Sequence, residues 1–293
     1  MFVLDGLAAP MPYLSVDTVR LYYEQHGTGP PVVLIHGLGS SSRDWFAQIP
    51  HLASRHRVIV CDLRGHGRSA KPSGPYSMPQ FARDVAVLLR KLDAVPAQIV
   101  GLSMGGMVAL ELAASTRGLV HRLVVANSAV DVRLQTWSDV WFYASRRLAV
   151  RLLGMRRVGA LIADRLFVKP DQERLRTEFI ERWAQNDMDA YVASVDAIMG
   201  WSVIDRLDRV TAPTLLVSSE HDYTPVAAKN LAAARLPQAE LAVVDGTRHA
   251  LPVERPEAFN VLLDGFLLPD DDARPETTPP AASTESLRRM SAD

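Results

Sequence analysis

Short, wholly apolar runs alternate with amphipathic stretches along most of the chain. Val32, Val33, Leu34 and Ile35 form one such run, and Val58, Ile59, Val60 and Cys61 close a second one over 57–61. Runs this short and this apolar predict strands buried on both faces, as in a parallel sheet. Residues 98–100, 122–126, 214–218 and 241–244 read as further strands, and 13–25 alternate partly, as a hairpin or edge strands do. Between the strands lie helical stretches over 45–53, 78–92, 104–115, 226–235 and 256–267. The clearest has Met78, Phe81, Val85, Leu88 and Leu92 at spacings of three and four, with Ser77 as N-cap and Pro79 tolerated in the first turn.

The β-α alternation predicts an α/β fold with a mostly parallel central sheet and helices on both faces. The segment 130–205 interrupts it with several helical stretches and no buried-strand run. The expected organisation is a core over 13–129 and 206–268, a helical cap over 130–205, a poorly structured 1–12, and a disordered 269–293 rich in Pro, Ser, Thr and acid.

Composition narrows the function. The 293 residues carry 32 Lys and Arg against 33 Asp and Glu, a net charge of −1 that argues against general nucleic-acid binding. A chain this long buries about three quarters of its unfolded surface, so no disulfide or metal staple is needed. The single cysteine, Cys61, excludes an intrachain disulfide framework and a multi-Cys zinc site. No apolar run reaches the roughly 18 residues that span a membrane. The apolar start lacks a basic region and is interrupted by Asp5, so it is not read as a signal peptide. Met11 is an alternative start, and a cytoplasmic location is expected.

The candidate chemistry centres on Gly101-Leu102-Ser103-Met104-Gly105, a G-x-S-x-G placed between a strand and a helix. A serine on so sharp a turn projects from the sheet, and glycines two residues to either side avoid Cβ collisions. The N-terminus of the following helix favours developing negative charge. A serine hydroxyl needs a base. Of eight histidines, His249 is the best placed, in a loop between the last strand and the last helix. Such loops converge on the face that carries Ser103. The acid that orients it is read as Asp222, just beyond the strand 214–218, which gives the order Ser…Asp…His. Glu220 lies two residues nearer that strand, Asp245 reads as a strand-end cap, and Asp131 begins the insertion. Oxyanion donors are expected from the backbone N–H of Met104 and of Leu38, in the loop His36-Gly37-Leu38-Gly39. His36 is expected to shape that loop through side-chain hydrogen bonds. His26, His51, His56 and His121 are expected to be solvated.

Together with Asp62-Leu63-Arg64-Gly65-His66-Gly67-Arg68-Ser69, these motifs resemble the α/β-hydrolase superfamily over about 13–268. The resemblance implies Ser103 as nucleophile, His249 as base, Asp222 as acid, Leu38 and Met104 as oxyanion positions, and a structural role for Asp62, Arg64 and His66. The stretch from His249 to Asn260 resembles the esterase and 3-oxoadipate enol-lactonase branch. Ser103 speaks against the aspartate nucleophile of haloalkane dehalogenases and epoxide hydrolases. Met104 stands where prolyl aminopeptidases usually carry Trp. Leu38-Gly39 departs from the Phe-Pro of many haloperoxidases and perhydrolases. The expected function is therefore cleavage of a small-molecule carboxylic ester or lactone through an acyl-enzyme. Acyl transfer, cofactor-free perhydrolysis or haloperoxidation, and carbon–carbon bond hydrolysis are alternatives on the same triad, and a ligand sensor is the non-enzyme alternative. No cofactor and no metal is implied, and no oligomeric state is read.

The cap is basic. Between Arg146 and Arg182 stand ten Arg or Lys and five acids, with Trp137, Trp141, Phe142, Tyr143, Trp183, Tyr191 and Trp201 nearby. The arginines are expected to cover a solvated outer face and the aromatics to pack the cap onto the sheet. The alternative sets some arginines at the pocket mouth, where they would steer anionic substrates.

Overall fold

The computed structural model describes residues 12–267; the expectations for 1–11 and 268–293 lie outside them. An eight-stranded sheet is built from β1 (Tyr13–Val16), β2 (Val19–His26), β3 (Pro31–Ile35), β4 (Arg57–Cys61), β5 (Ala97–Leu102), β6 (Val120–Ala126), β7 (Thr214–Ser219) and β8 (Ala239–Val244). Their spatial order is β1-β2-β4-β3-β5-β6-β7-β8. The β1–β2 and β2–β4 pairs are antiparallel and every other pair is parallel.

The all-apolar runs have the cause the pattern predicts. Alternate side chains of each strand enter different cores. Val33, Ile35 and Ile59 pack with α2 (Met78–Lys91) and α3 (Met104–Ser115). Val32, Leu34, Val58 and Val60 pack on the other face, against Phe259, Leu263 and Phe266 of α9 (Pro256–Phe266). With both faces covered, both sets of alternating side chains in these strands are buried, which is why the runs are apolar throughout. Ser77 caps α2, its hydroxyl accepting from the Gln80 N–H at 3.3 Å. In place of the expected helix over 45–53, a 3₁₀ turn Ser42–Trp45 leads into a short α1 (Gln48–Leu52).

From β3 the chain steps to β4 on one side, then crosses to β5 on the other. The loops after β3 and β5 therefore open beside each other, at the switch point where open α/β sheets bind ligands.

The helical insertion holds α4 (Trp137–Leu166), α5 (Glu173–Ala184) and α6 (Met188–Ile198), followed by α7 (Val226–Ala233) and the short α8 (Leu251–Glu254) beyond the next strands. Thr136 and Asp139 close a capping box at the start of α4, and Gly154, at φ 77°, breaks its course. Val150, Met155, Val158, Trp183, Tyr191, Val192 and Val195 form the insertion's own apolar core. Polar ties help to dock it. Arg182 pairs with Asp44 at 2.8 Å. Asn186 Nδ2 donates to the Gly39 carbonyl at 2.7 Å. Gln172 Nε2 donates to the buried Glu254 at 3.1 Å. The aromatics divide: Trp183 and Tyr191 are buried as expected, whereas Trp137, Trp141 and Phe142 are exposed, because the N-terminal half of α4 turns them away from that core.

Candidate active site

Ser103 stands between β5 and α3 with φ 55° and ψ −118°. A non-glycine residue with this backbone is strained and persists only where its surroundings hold it. Four bonds do so: its N–H donates to the Ala126 carbonyl at 2.9 Å, and its own carbonyl accepts from Gly106 N–H at 2.9 Å, Met107 N–H at 3.2 Å and Ser128 Oγ at 2.7 Å. The flanking glycines have a steric cause. A Cβ on Gly101 would lie 2.4 Å from the Gly105 carbonyl oxygen, and one on Gly105 would lie 2.2 Å from that of Ile35. The turn can be this tight only because both lack side chains.

Met104 is the first residue of α3, so its N–H has no intrahelical acceptor. Leu38 N–H likewise has no acceptor among the described residues. Both residues line the cavity that Ser103 faces. His36 holds the Leu38 loop as expected: its Nδ1–H donates to the Gly37 carbonyl at 2.8 Å, and its Nε2 accepts from Leu63 N–H at 3.0 Å.

His249 Nδ1–H donates to Asp222 Oδ1 at 2.5 Å. This leaves Nε2 as the free acceptor on a ring 18% exposed to the cavity. Tyr223 lies over the imidazole with ring centroids 4.4 Å apart. Ser103 and His249 share the cavity wall without a hydrogen bond between them in this conformation. Such bonds are often long until substrate is bound. Asp222 is the acid brought to His249. Asp245 and Glu220 are exposed, Glu220 accepting from Gly246 N–H at 2.8 Å, and Asp131 pairs with Arg133.

Asp222 also takes Lys229 Nζ on its second oxygen, at 2.5 Å. Burial alone would raise the Asp222 carboxyl, but the hydrogen bonds and charges of His249 and Lys229 outweigh it and hold the group below the usual carboxylate range. Lys229 is itself buried and donates again to the Thr224 carbonyl at 2.9 Å. Sequence reading missed it, because a lysine in an amphipathic helix reads as solvated.

Two more positioning groups were missed. Asn127, at φ 45°, donates through Nδ2 to Ser219 Oγ and to the carbonyls of Arg248 and His249, and accepts from Ser219 N–H at 2.7 Å. It ties the ends of β6 and β7 to the histidine loop. Glu254 accepts from Arg248 N–H at 2.7 Å and secures the same loop from below.

Cys61 and His66 are shut away from the cavity by burial. Burial, helped by Asp62 and Asp84, pushes the Cys61 thiol up to about 12, so it carries no thiolate near neutrality. Burial also pushes His66 down to about 3, which keeps it neutral. Asp62 accepts from the N–H groups of Ser42 and Arg68, both at 2.7 Å, and Arg64 forms a buried pair with Asp84. His56, expected to be solvated, is instead buried, with Nε2 against the Leu267 carbonyl at 2.7 Å. It satisfies an acceptor at the end of α9 that the core would otherwise strand.

The cavity measures about 1010 Å³. Its walls are largely apolar, with Phe142, Tyr143, Phe167, Phe179 and Trp183 contributed by the insertion. Of the basic residues, Arg146, Arg165 and Arg182 reach it. Arg182 is neutralised by Asp44, whereas Arg146 bonds only Tyr191 OH, through Nε at 2.7 Å, and Arg165 has no carboxylate partner among the described residues.

A strained serine on a strand-to-helix turn, a doubly wound sheet and a helical insertion are features of the α/β-hydrolase fold. Residues 30–256 match the α/β hydrolase fold family, and the chain belongs to it. Among curated relatives it is 30% identical to a putative carbamate hydrolase RutD of Azorhizobium caulinodans over 267 residues, 87% of this chain and 98% of that one. It is 29% identical to 3-oxoadipate enol-lactonase 2 of Acinetobacter baylyi over 261 residues, 87% of this chain and 95% of that one. Among solved structures, the enol-lactonase from Burkholderia xenovorans superposes with a TM-score of 0.80 at 27% identity, covering 87% of this chain and 99% of its own. No helix among the described residues is long and apolar enough to cross a membrane.

Proposed function

We propose that the protein hydrolyses a carboxylic ester or lactone through an acyl-enzyme on Ser103. The observation that carries this reading is the Asp222–His249 hydrogen bond, which leaves Nε2 free on a ring that lines the cavity shared by Ser103, Leu38 and Met104, the N–H groups of the last two having no acceptor among the described residues. His249 Nε2 accepts the Ser103 proton as Oγ attacks the carbonyl carbon. The carbonyl oxygen takes the negative charge between the two N–H groups, and the α3 N-terminus favours it. The leaving oxygen then departs with the proton from His249. Water repeats the sequence on the acyl-enzyme and frees the acid. The esterase and enol-lactonase names among the relatives support this chemistry, and the carbamate hydrolase name makes a carbamate a reasonable addition to the substrates to be assayed.

The substrate favoured by this cavity has an apolar body and an anionic end, because Arg146 and Arg165 bring positive charge without an ion-paired acid among the described residues. The test is steady-state turnover of matched neutral and carboxylate-bearing p-nitrophenyl esters and lactones at two salt concentrations. The Debye length falls from about 30 Å at 0.01 M to about 10 Å at 0.1 M salt. The kcat/KM of the anionic substrate is expected to fall several-fold over that range while that of its neutral analogue holds. Parallel salt dependence would remove the arginines from recognition, and no turnover of any panel member would remove the hydrolase reading. Adding an acceptor alcohol or hydrogen peroxide separates hydrolysis from acyl transfer and perhydrolysis.

A further inference from the structure

α4 presents a second surface that the chemistry at Ser103 does not use. Its inner face carries Tyr143, Arg146 and Ala149 into the cavity. Its outer face carries Trp137, Trp141, Leu148 and Leu152, which are 88%, 71%, 53% and 71% exposed. At 100° per residue these four fall within an arc of about 60°. They form a continuous apolar stripe on the solvent side of the helix, opposite Arg146. Single exposed apolar residues need no cause, but a contiguous stripe does.

The charges beside the stripe specify what covers it. Between Val140 and Ala163 α4 carries five arginines and no acid. Arg147 and Arg151 lie about 40–80° to one side of the stripe. Arg147 makes a 3.4 Å pair with Asp196, and Arg151 is exposed with no ion-pair partner among the described residues. On the other side Phe142, itself exposed, forms part of the cavity rim. Two tryptophans and two leucines on one face, bordered by arginines, match the needs of an interfacial helix. Indole rings settle at headgroup depth, aliphatic side chains enter the acyl boundary, and guanidinium groups meet lipid phosphates. A second copy of the chain fits less well, since α4 has no acid between Val140 and Ala163 to offer Arg147 and Arg151 of a partner, and an antiparallel two-fold contact would bring the two arginine flanks together.

We infer that the outer face of α4 docks the protein onto an anionic phospholipid surface. The cavity rim at Phe142 then lies next to the bilayer, so a substrate can pass its apolar body from lipid to the cavity with little exposure to water. The docking itself does not depend on the esterase reading, and its test has a separate readout.

The test is co-sedimentation of the full chain with extruded vesicles of phosphatidylcholine alone or mixed with phosphatidylglycerol, together with light scattering of the protein alone. Wild type is expected to partition onto the phosphatidylglycerol vesicles and far less onto phosphatidylcholine. The double variant Trp137→Ser/Trp141→Ser is expected to lose at least ten-fold in partitioning. Arg151→Gln is expected to lose about five-fold, in line with about 1 kcal/mol per basic residue near an anionic surface. Circular dichroism and turnover of a soluble short ester verify the fold of each variant, since none of these side chains lines the cavity. As a second apolar probe, Leu152→Ser is expected to weaken binding in the same direction. Three outcomes overturn the inference: no binding of wild type to either vesicle, equal binding of wild type and double variant, or a dimer in solution that the double variant converts to monomer.

Discussion

Replacing Ser103 by alanine is expected to abolish ester turnover while leaving the fold and its melting temperature close to wild type. The substitution removes only an oxygen that makes no hydrogen bond to the described residues. The strained turn is held by backbone bonds to Ala126, Gly106, Met107 and Ser128, which alanine retains. What survives is the oxyanion pair and substrate binding, worth roughly 10³-fold over the reaction in water in triad hydrolases generally. The measurement is kcat/KM for a short p-nitrophenyl ester beside a thermal melt. Turnover near wild type in a folded sample would show that another group carries the reaction.

The second large effect is at the acid. Asp222→Asn is expected to cost on the order of 10⁴-fold in kcat, because an amide can present its N–H to Nδ1 and so favour the tautomer that blocks Nε2 as acceptor. Asp245→Asn is expected to cost far less, because Asp245 is exposed and remote from His249's hydrogen bonds. A reversal of the two losses would reassign the acid. The same variant tests the charge environment. Asp222 neutralises buried Lys229, so its loss leaves an uncompensated cation and is expected to lower stability by roughly 3 kcal/mol at neutral pH. The sign of the pH dependence follows from the depressed carboxyl. Its contribution is complete above the ordinary aspartate value of 3.8 and is lost as pH falls through the lower folded-state value. The gap in melting temperature between wild type and Asp222→Asn is therefore expected to narrow below about pH 4. Since the Asp222 carboxyl is held below the usual carboxylate range, Asp222 itself is not expected to contribute an ionisation to the wild-type kcat/KM profile above about pH 4.

The sheet was legible because its strands are covered on both faces. Val32 to Ile35 could not read as anything half-exposed, and the same logic located β4. Ser103 was legible because G-x-S-x-G between strand and helix has a steric cause, now visible at Gly101 and Gly105. His249 and Asp222 followed from chain order and from strand ends. Lys229 did not, since its burial depends on a fold that returns it to Asp222, and helical periodicity carries no record of that. Asn127 stood in the sequence only as a residue that was not an acid; its partners lie 92 to 122 residues away. His56 fails for the same reason, its partner being 211 residues downstream. Local pattern specifies which face is buried, while long-range polar ties form only once the elements meet. The insertion was legible as helical, but not as one 30-residue segment broken at Gly154, nor as a helix whose outer tryptophans stay exposed.

The central claim is that Ser103 is an activated nucleophile. The most direct measurement is covalent labelling by a fluorophosphonate, followed by peptide mass spectrometry and a parallel assay of ester turnover. A single adduct is expected on Ser103, with loss of turnover in proportion to labelling, and His249→Ala is expected to suppress both. Labelling at another residue, or full loss of turnover with Ser103 unmodified, would contradict the account.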